Sequence, residues 1–123
     1  MAVLTDEHGV ARLCYLTTTG RRTGNAHEIE MWFARDGGDR IYMLSGGGLD
    51  SDWVRNLLAT PKVAVRIDDV TFRGTASPIS GLPDEPIARR LLAAKYQDWS
   101  EGEPLSDWAM QSFPVAIDLE GSL

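Results

Sequence analysis

The chain has 123 residues, 12 basic and 18 acidic groups, a formal net charge of -6 and 43% apolar residues. That length supports one domain, residues 1–123, with its own core, and the lone cysteine, Cys14, excludes an internal disulfide and suits a reducing cytoplasm. The acidic balance argues against nucleic acid as a partner, and the segment from Met1 to Val10, with Asp6 and Glu7, holds no apolar run that could serve as a signal peptide or membrane span.

Arg12 to Thr18 is rich in Leu, Tyr and Thr and predicts a strand ending at Thr19-Gly20. After a polar loop, His27 to Phe33 predicts a second strand, with Ile29, Met31 and Phe33 on a buried face and Glu28, Glu30 and Trp32 on the other. Asp36-Gly37-Gly38-Asp39 is a hairpin turn leading to Arg40–Leu44, so these two runs are expected to pair antiparallel. Ser45-Gly46-Gly47-Gly48 breaks regular structure. Ser51 or Asp52 can cap a short helix in which Trp53, Val54, Leu57 and Leu58 recur at helical spacing before Pro61. Lys62–Ile67 and Val70–Ala76 flank an Asp68-Asp69 turn and predict a second hairpin, with Val63, Val65, Ile67, Val70, Phe72 and Gly74 inward.

A second helix opens within Gly81–Pro86 and runs to about Tyr96 with Ile87, Leu91, Ala94 and Lys95 on one face, long enough to close one end of a barrel. Ser106 can cap one or two turns through Trp108 and Met110, and Pro114–Leu119 predicts the final strand. Six short strands with helices between hairpins predict an α+β fold built on a six-stranded, partly open antiparallel barrel.

No G-x-G-x-x-G follows a strand, no Gly-Lys-Ser occurs, and no G-x-S-x-G elbow is present, so dinucleotide, P-loop and serine-hydrolase chemistries lack support. His8, His27 and Cys14 have no zinc-ligand spacing, and His27, Glu28 and Glu30 read as a solvated strand end and edge, so no metal site is expected. Two loops carry more information. Gly20-Arg21-Arg22-Thr23-Gly24 sets two guanidinium groups, a hydroxyl and accessible backbone N–H groups at one end of the barrel, a composition that suits an anion and equally a solubilising hairpin loop. Ser45 to Gly48 lacks the side chains that would keep a flat ring off the backbone, and the helix start at Ser51 adds N–H donors, although a plain connector has the same composition. If the strands that the two loops terminate are neighbours, one loop holds a phosphate and the other a ring, as a flavin-like cofactor requires.

Leu16-Thr17-Thr18-Thr19-Gly20-Arg21-Arg22-Thr23-Gly24, Trp32-Phe33, Leu44-Ser45-Gly46-Gly47-Gly48, Ser51-Asp52-Trp53-Val54-Arg55-Asn56-Leu57 and Pro61-Lys62-Val63 together resemble the deazaflavin-dependent nitroreductase family. The resemblance runs from about Leu13 to Ile67, with a weaker match at Pro114-Val115. It implies a split β-barrel related to FMN-binding folds and the deazaflavin coenzyme F-420 as cofactor. Arg21, Arg22 and Thr23 would contact its phosphate and acidic tail, and Leu44, Ser45, Gly46, Gly47, Gly48, Ser51, Trp53 and Asn56 would surround its ring.

The implied activity is that of a nitroreductase- or quinone-reductase-like enzyme, in which a hydride passes from the reduced cofactor to a small electron-poor quinone, enone or nitro compound. Trp32, Tyr96 and Trp99 are expected to wall the substrate, with Ser45 and the Tyr96 hydroxyl as donors to an oxygen that gains charge. The chain departs from the family in a shorter loop before Trp53, in Val54 where an aromatic is frequent, and in a C-terminal segment whose tyrosines are reduced to Tyr96 with Trp99 and Trp108. These departures leave the substrate open. FMN in the same fold, and a cofactor carrier without turnover, are the alternatives. A homodimer paired on the open side of the barrel and a monomer under a covering helix both fit the sequence.

Overall fold

The computed structural model describes residues 3–123; Met1 and Ala2 of the N-terminal segment lie outside them. Seven strands are present: β1 (Cys14–Thr19), β2 (Ala26–Met31), β3 (Ala34–Arg35), β4 (Arg40–Ser45), β5 (Lys62–Ile67), β6 (Val70–Pro78) and β7 (Phe113–Ser122). Among the described residues four α-helices accompany them, α1 (Asp6–Val10), α2 (Asp52–Ala59), α3 (Glu85–Tyr96) and α4 (Asp107–Gln111), with a single 3-10 turn at Gly48–Asp50. The strands form one antiparallel sheet in the order β2-β1-β5-β6-β7-β4-β3.

The two edge strands of that sheet, β2 and β3, are joined by Trp32-Phe33 alone. A flat sheet would hold its first and seventh strands roughly 28 Å apart, at about 4.7 Å per spacing. Two residues cannot span that, so the sheet curls until its edges meet, and Trp32-Phe33 is the seam of a half-closed barrel. This corrects the expected six strands and the expected pairing of His27–Phe33 with Arg40–Leu44. The predicted second strand is cut at Trp32 into β2, which pairs only with β1, and the two-residue β3, which pairs with β4 through Ala34 to Tyr42 and Arg35 to Ile41.

Period-2 alternation then fills the barrel. Cys14, Leu16, Ile41, Met43, Val63, Val65, Ile67, Phe72, Val115, Ile117 and Leu119 form the interior core with Phe33 and with Leu57 from α2. Gly74 lies at a register shift between β6 and β7, where a β-carbon would stand 2.7 Å from Ile117 Cγ2. β4 is buried on both faces, because its even residues Tyr42 and Leu44 pack outward under α3 with Ala34, Ile79, Ala88, Leu92 and Ala116. That second apolar surface explains two corrections. α3 lies against β3, β4 and β7 rather than closing the barrel end, and its inward face is Ala88, Leu92 and Ala93, leaving Ile87 44% exposed and Ala94 at the surface. α2 packs against β1 and β6 instead, burying Val54, Asn56 and Leu57 and leaving the expected inward Leu58 exposed. α1, which the sequence reading passed over, is a single capping-box helix: Thr5 Oγ1 accepts from His8 N while His8 Nδ1 accepts from Thr5 N.

The end of α3 clamps the seam. The Tyr96 hydroxyl accepts from Phe33 N at 3.1 Å and donates to Arg12 O at 2.8 Å, while Lys95 Nζ donates to Phe33 O at 2.9 Å and to Gly9 O at 3.3 Å. The ammonium also sits 3.8 Å from the centroid of the Phe33 ring. No carboxylate joins this group, and burial holds the Lys95 pKa down to about 8. From about pH 8 upward the unfolded chain therefore keeps a proton on Lys95 that the folded chain has shed, so this residue makes stability rise with pH. Cys14 acts in the opposite sense, but only above about pH 9, where the unfolded thiol ionises while burial pushes the folded one up to about 12. Urea midpoints measured from pH 7 to 9 should accordingly show an upward contribution between pH 8 and 9 that Lys95→Met abolishes. Identical pH profiles for the two proteins would contradict it.

Candidate functional site

The β1–β2 hairpin fixes the basic loop. Gly20 N donates to Asn25 O at 2.7 Å, Gly24 N donates to Gly20 O at 2.8 Å, and Gly24 takes φ of 76°. Arg21 is folded back onto α2: its amide and Nη1 donate to Asn56 Oδ1 at 3.2 and 2.9 Å, and its Nη2 reaches Asp52 Oδ1 at 3.1 Å. Asn56 is 4% exposed, and its Nδ2 donates to the buried Thr18 Oγ1 at 3.2 Å. Since a guanidinium can only donate, this pattern defines which end of the amide faces the loop. Arg22 is different. It is exposed and has no hydrogen-bond or ion-pair partner among the described residues.

An open cleft of about 380 Å³ lies under this loop, lined by Thr18, Gly20, Arg21, Arg22, Thr23, His27, Ile29, Asp52, Trp53 and Asn56. Two guanidinium groups against one carboxylate leave its rim electropositive in an acidic protein. The cations, the Thr23 hydroxyl and the Trp53 ring fit the anionic tail and flat body of a deazaflavin, with Arg22 as the cation free to meet a phosphate.

The glycine loop follows β4, which is not a neighbour of β1 in the sheet, contrary to the expected adjacency of the strands that end in the two loops; α2 is the element between the glycine loop and Arg21. Gly48 has φ of 62°, and a β-carbon at Gly47 would stand 2.5 Å from Ser51 Oγ, so neither position accepts a side chain without rearrangement. Ser51 is the N-cap residue of α2 but makes no capping bond; its hydroxyl is 2.7 Å from that of Ser45, which also lies 3.1 Å from Gly48 O. Ser45 is 2% exposed and Leu44 belongs to the core beneath α3, so both side chains shape the loop from behind.

The aromatic residues gather in part. Trp32 stacks on Tyr96 with centroids 4.4 Å apart and planes 1° apart, and meets Trp108 edge-on at 5.4 Å and 83°. Trp99 stands apart, its Nε1 donating to Glu103 O at 2.8 Å in the turn after α3. The Tyr96 hydroxyl is engaged at the seam, and burial pushes its pKa up from the ordinary phenol value. Sequence reasoning missed His27, Ile29 and Asp52 as cleft residues. The signal for the first two was present: the alternation through Met31 and Ile29 extends back to His27, which pairs across the hairpin with Thr18. Gly20 is what admits the imidazole, since a β-carbon there would lie 2.6 Å from His27 Nε2. No described helix is long and apolar enough to cross a membrane.

Residues 5–119 match the family model described as F420H(2)-dependent quinone reductase. An F420H(2)-dependent quinone reductase of Mycobacterium tuberculosis is 33% identical over 78 residues, covering 62% of this chain and 51% of the relative. The chain thus spans about half the length of the curated relatives it matches. Among solved structures, an F420-H2 dependent reductase superposes with a TM-score of 0.66 at 24% identity over 89% of this chain and 94% of that one. A domain-swapped dimer superposes with the same TM-score of 0.66 at 24% identity over 89% of this chain and 80% of its own. These likenesses establish the split-barrel fold.

Asn56 is the latch between α2 and the basic loop. Asn56→Ala leaves the buried Thr18 hydroxyl and the Arg21 amide without their partner, and should lower unfolding free energy by about 1–3 kcal/mol in urea titrations. A loss below about 0.5 kcal/mol would show that the loop holds its position without the latch.

Proposed function

The chain belongs to the F420H(2)-dependent quinone reductase family, and on that premise we propose that it is a cytoplasmic reductase that binds reduced coenzyme F-420 and passes a hydride to a small quinone. The observation that carries the reading is the pairing of a free cation, Arg22, with a cleft floored by the Asn56 latch and walled by Trp53. When bound, reduced coenzyme F-420 supplies the hydride. The protein's part is placement. Arg22 and Thr23 hold an anionic group, Gly46 to Gly48 keep side chains off the backbone where a ring would lie, and Trp32 with Tyr96 offers an aromatic surface for a flat acceptor.

β2 spaces these parts. From His27 at the basic end to Trp32 at the seam is five strand steps, about 16 Å at roughly 3.3 Å per residue, which suits a ligand with its charge at one end and its rings at the other. Arg21, already paired with Asp52 and Asn56, serves chiefly to hold the loop in shape. A homodimer is part of the proposal, supported by the domain-swapped neighbour.

Two measurements test this. Fluorescence titration should show tighter binding of coenzyme F-420 than of FMN, and oxidation of the reduced cofactor by a quinone should be catalytic. Arg22→Ala should weaken F-420 binding by about five- to tenfold at low salt and by less at high salt, because the contact is exposed and screened. Equal affinity for FMN, or an Arg22→Ala protein that binds F-420 normally at low salt, would overturn the cofactor assignment.

A further inference from the structure

The indole of Trp108 holds a donor that no described residue uses. Its Cδ1–Nε1 edge faces Gly46, where a β-carbon would lie 3.4 Å from both atoms and within 4 Å of no other side chain. Nε1 has no hydrogen-bond partner among the described residues, and it is not a buried orphan, since Ser112 Oγ is the one such side-chain atom among them. The N–H is therefore reachable from solvent. α4 holds it there: Ser106 Oγ caps the helix by accepting from Ala109 N at 3.1 Å, and Arg89 Nη1 ties the far end through Ala109 O and Ser112 O at 2.9 and 2.8 Å.

Other donors nearby are spent or turned elsewhere. The Ser45 hydroxyl is shared between Gly48 O and Ser51 Oγ, the Tyr96 hydroxyl belongs to the seam, and the Trp99 N–H is taken by Glu103 O. Trp53 and Trp32 also have indole N–H groups without a partner among the described residues, but Trp53 lines the basic cleft and Trp32 lies flat on Tyr96. Trp108 turns its nitrogen-bearing edge toward the glycine loop at Gly46. With Trp32, 40% exposed and nearly perpendicular to it, it forms a corner in which a flat ring on one indole meets the edge of the other.

We propose that Trp108 is the hydrogen-bond donor for the substrate, its indole N–H binding a carbonyl oxygen of an aromatic quinone seated in the Trp32–Trp108 corner beside Gly46. The inference rests on the quinone reductase reading and names the residue that would discriminate a carbonyl-bearing ring from a plain hydrocarbon. An indole nitrogen donates and does not accept, so the corner selects ligands that present an acceptor oxygen.

The test compares two soluble ligands, 1,4-naphthoquinone-2-sulfonate and naphthalene-2-sulfonate, by calorimetric titration of the cofactor-free protein. The wild-type chain should bind the quinone more tightly. Trp108→Phe, and Trp108→benzothienylalanine, which keeps the bicycle and replaces N–H by sulfur, should weaken the quinone about three- to tenfold, as for one lost neutral hydrogen bond, and in the sulfur variant leave naphthalene-2-sulfonate, which shares the sulfonate but lacks the ring carbonyls, unchanged. Equal affinity of the wild-type chain for the two ligands, an unchanged quinone affinity in the sulfur variant, or the same loss for both ligands would overturn the role of Trp108. Failure of the cofactor reading would appear separately, as absence of F-420 binding to the wild-type protein.

Discussion

The architecture hangs on one covalent constraint: the first and last strands of a seven-stranded sheet are separated by two residues, Trp32 and Phe33. The sheet must curl for the chain to be continuous, and the curl creates an interior that strand residues fill by simple alternation. What holds the seam at one geometry is polar. Both backbone groups of Phe33 are taken by the last turn of α3, through the Tyr96 hydroxyl and the Lys95 ammonium. Lys95 is held there at a desolvation cost, so its contribution is to the definition of the crossover more than to its strength.

The candidate site follows from that seam. β2 leaves the basic loop at one end and delivers Trp32 to the other, where it stacks on the same Tyr96 that clamps Phe33. α2 lies between the glycine loop and β5, and its buried Asn56 joins it to Arg21 and Thr18 across the barrel mouth. One arginine of the pair is thereby structural and the other free, a division of roles that identical side chains acquire from their partners alone. The aromatic corner depends on α3 and α4 as well, since Arg89 on α3 binds the last carbonyls of α4 and so sets where Trp108 stands.

Much of this was legible in the sequence because local physics and the final fold agree there. The hairpin from Lys62 to Ala76, which the structure extends to Pro78, the glycine break after Ser45, the helix before Pro61 and the Ser106 cap all stand where turn chemistry and periodicity put them. The basic loop and the helix residues Trp53 and Asn56 line one cleft, whereas Leu44 to Gly48 and Ser51, expected around the same ligand, are not part of its lining. The break at Trp32 was not legible, because Ile29, Met31 and Phe33 alternate without interruption through a crossover that only the closed sheet demands. The face of α3 was legible only in part for a related reason: Leu91 packs against the second cluster as its spacing implies, but small Ala88 and Ala93 sit against the doubly buried β4, and the larger Ile87 is turned out. Ser45 and Tyr96 look like free hydroxyls in sequence, and only their neighbours Ser51, Gly48, Arg12 and Phe33 reveal their engagements.

The central claim is that one ligand bridges the loop at 20–25 and the loop at 46–48. Amide hydrogen exchange of the protein with and without coenzyme F-420 tests this most directly, because it reads each segment separately. Protection should rise in both loops and in the first turn of α2, while the Asp68-Asp69 turn at the opposite end of β5 stays unchanged. Protection confined to the 68–69 turn or to the α3 surface, with both loops exchanging as in the free protein, would contradict the account.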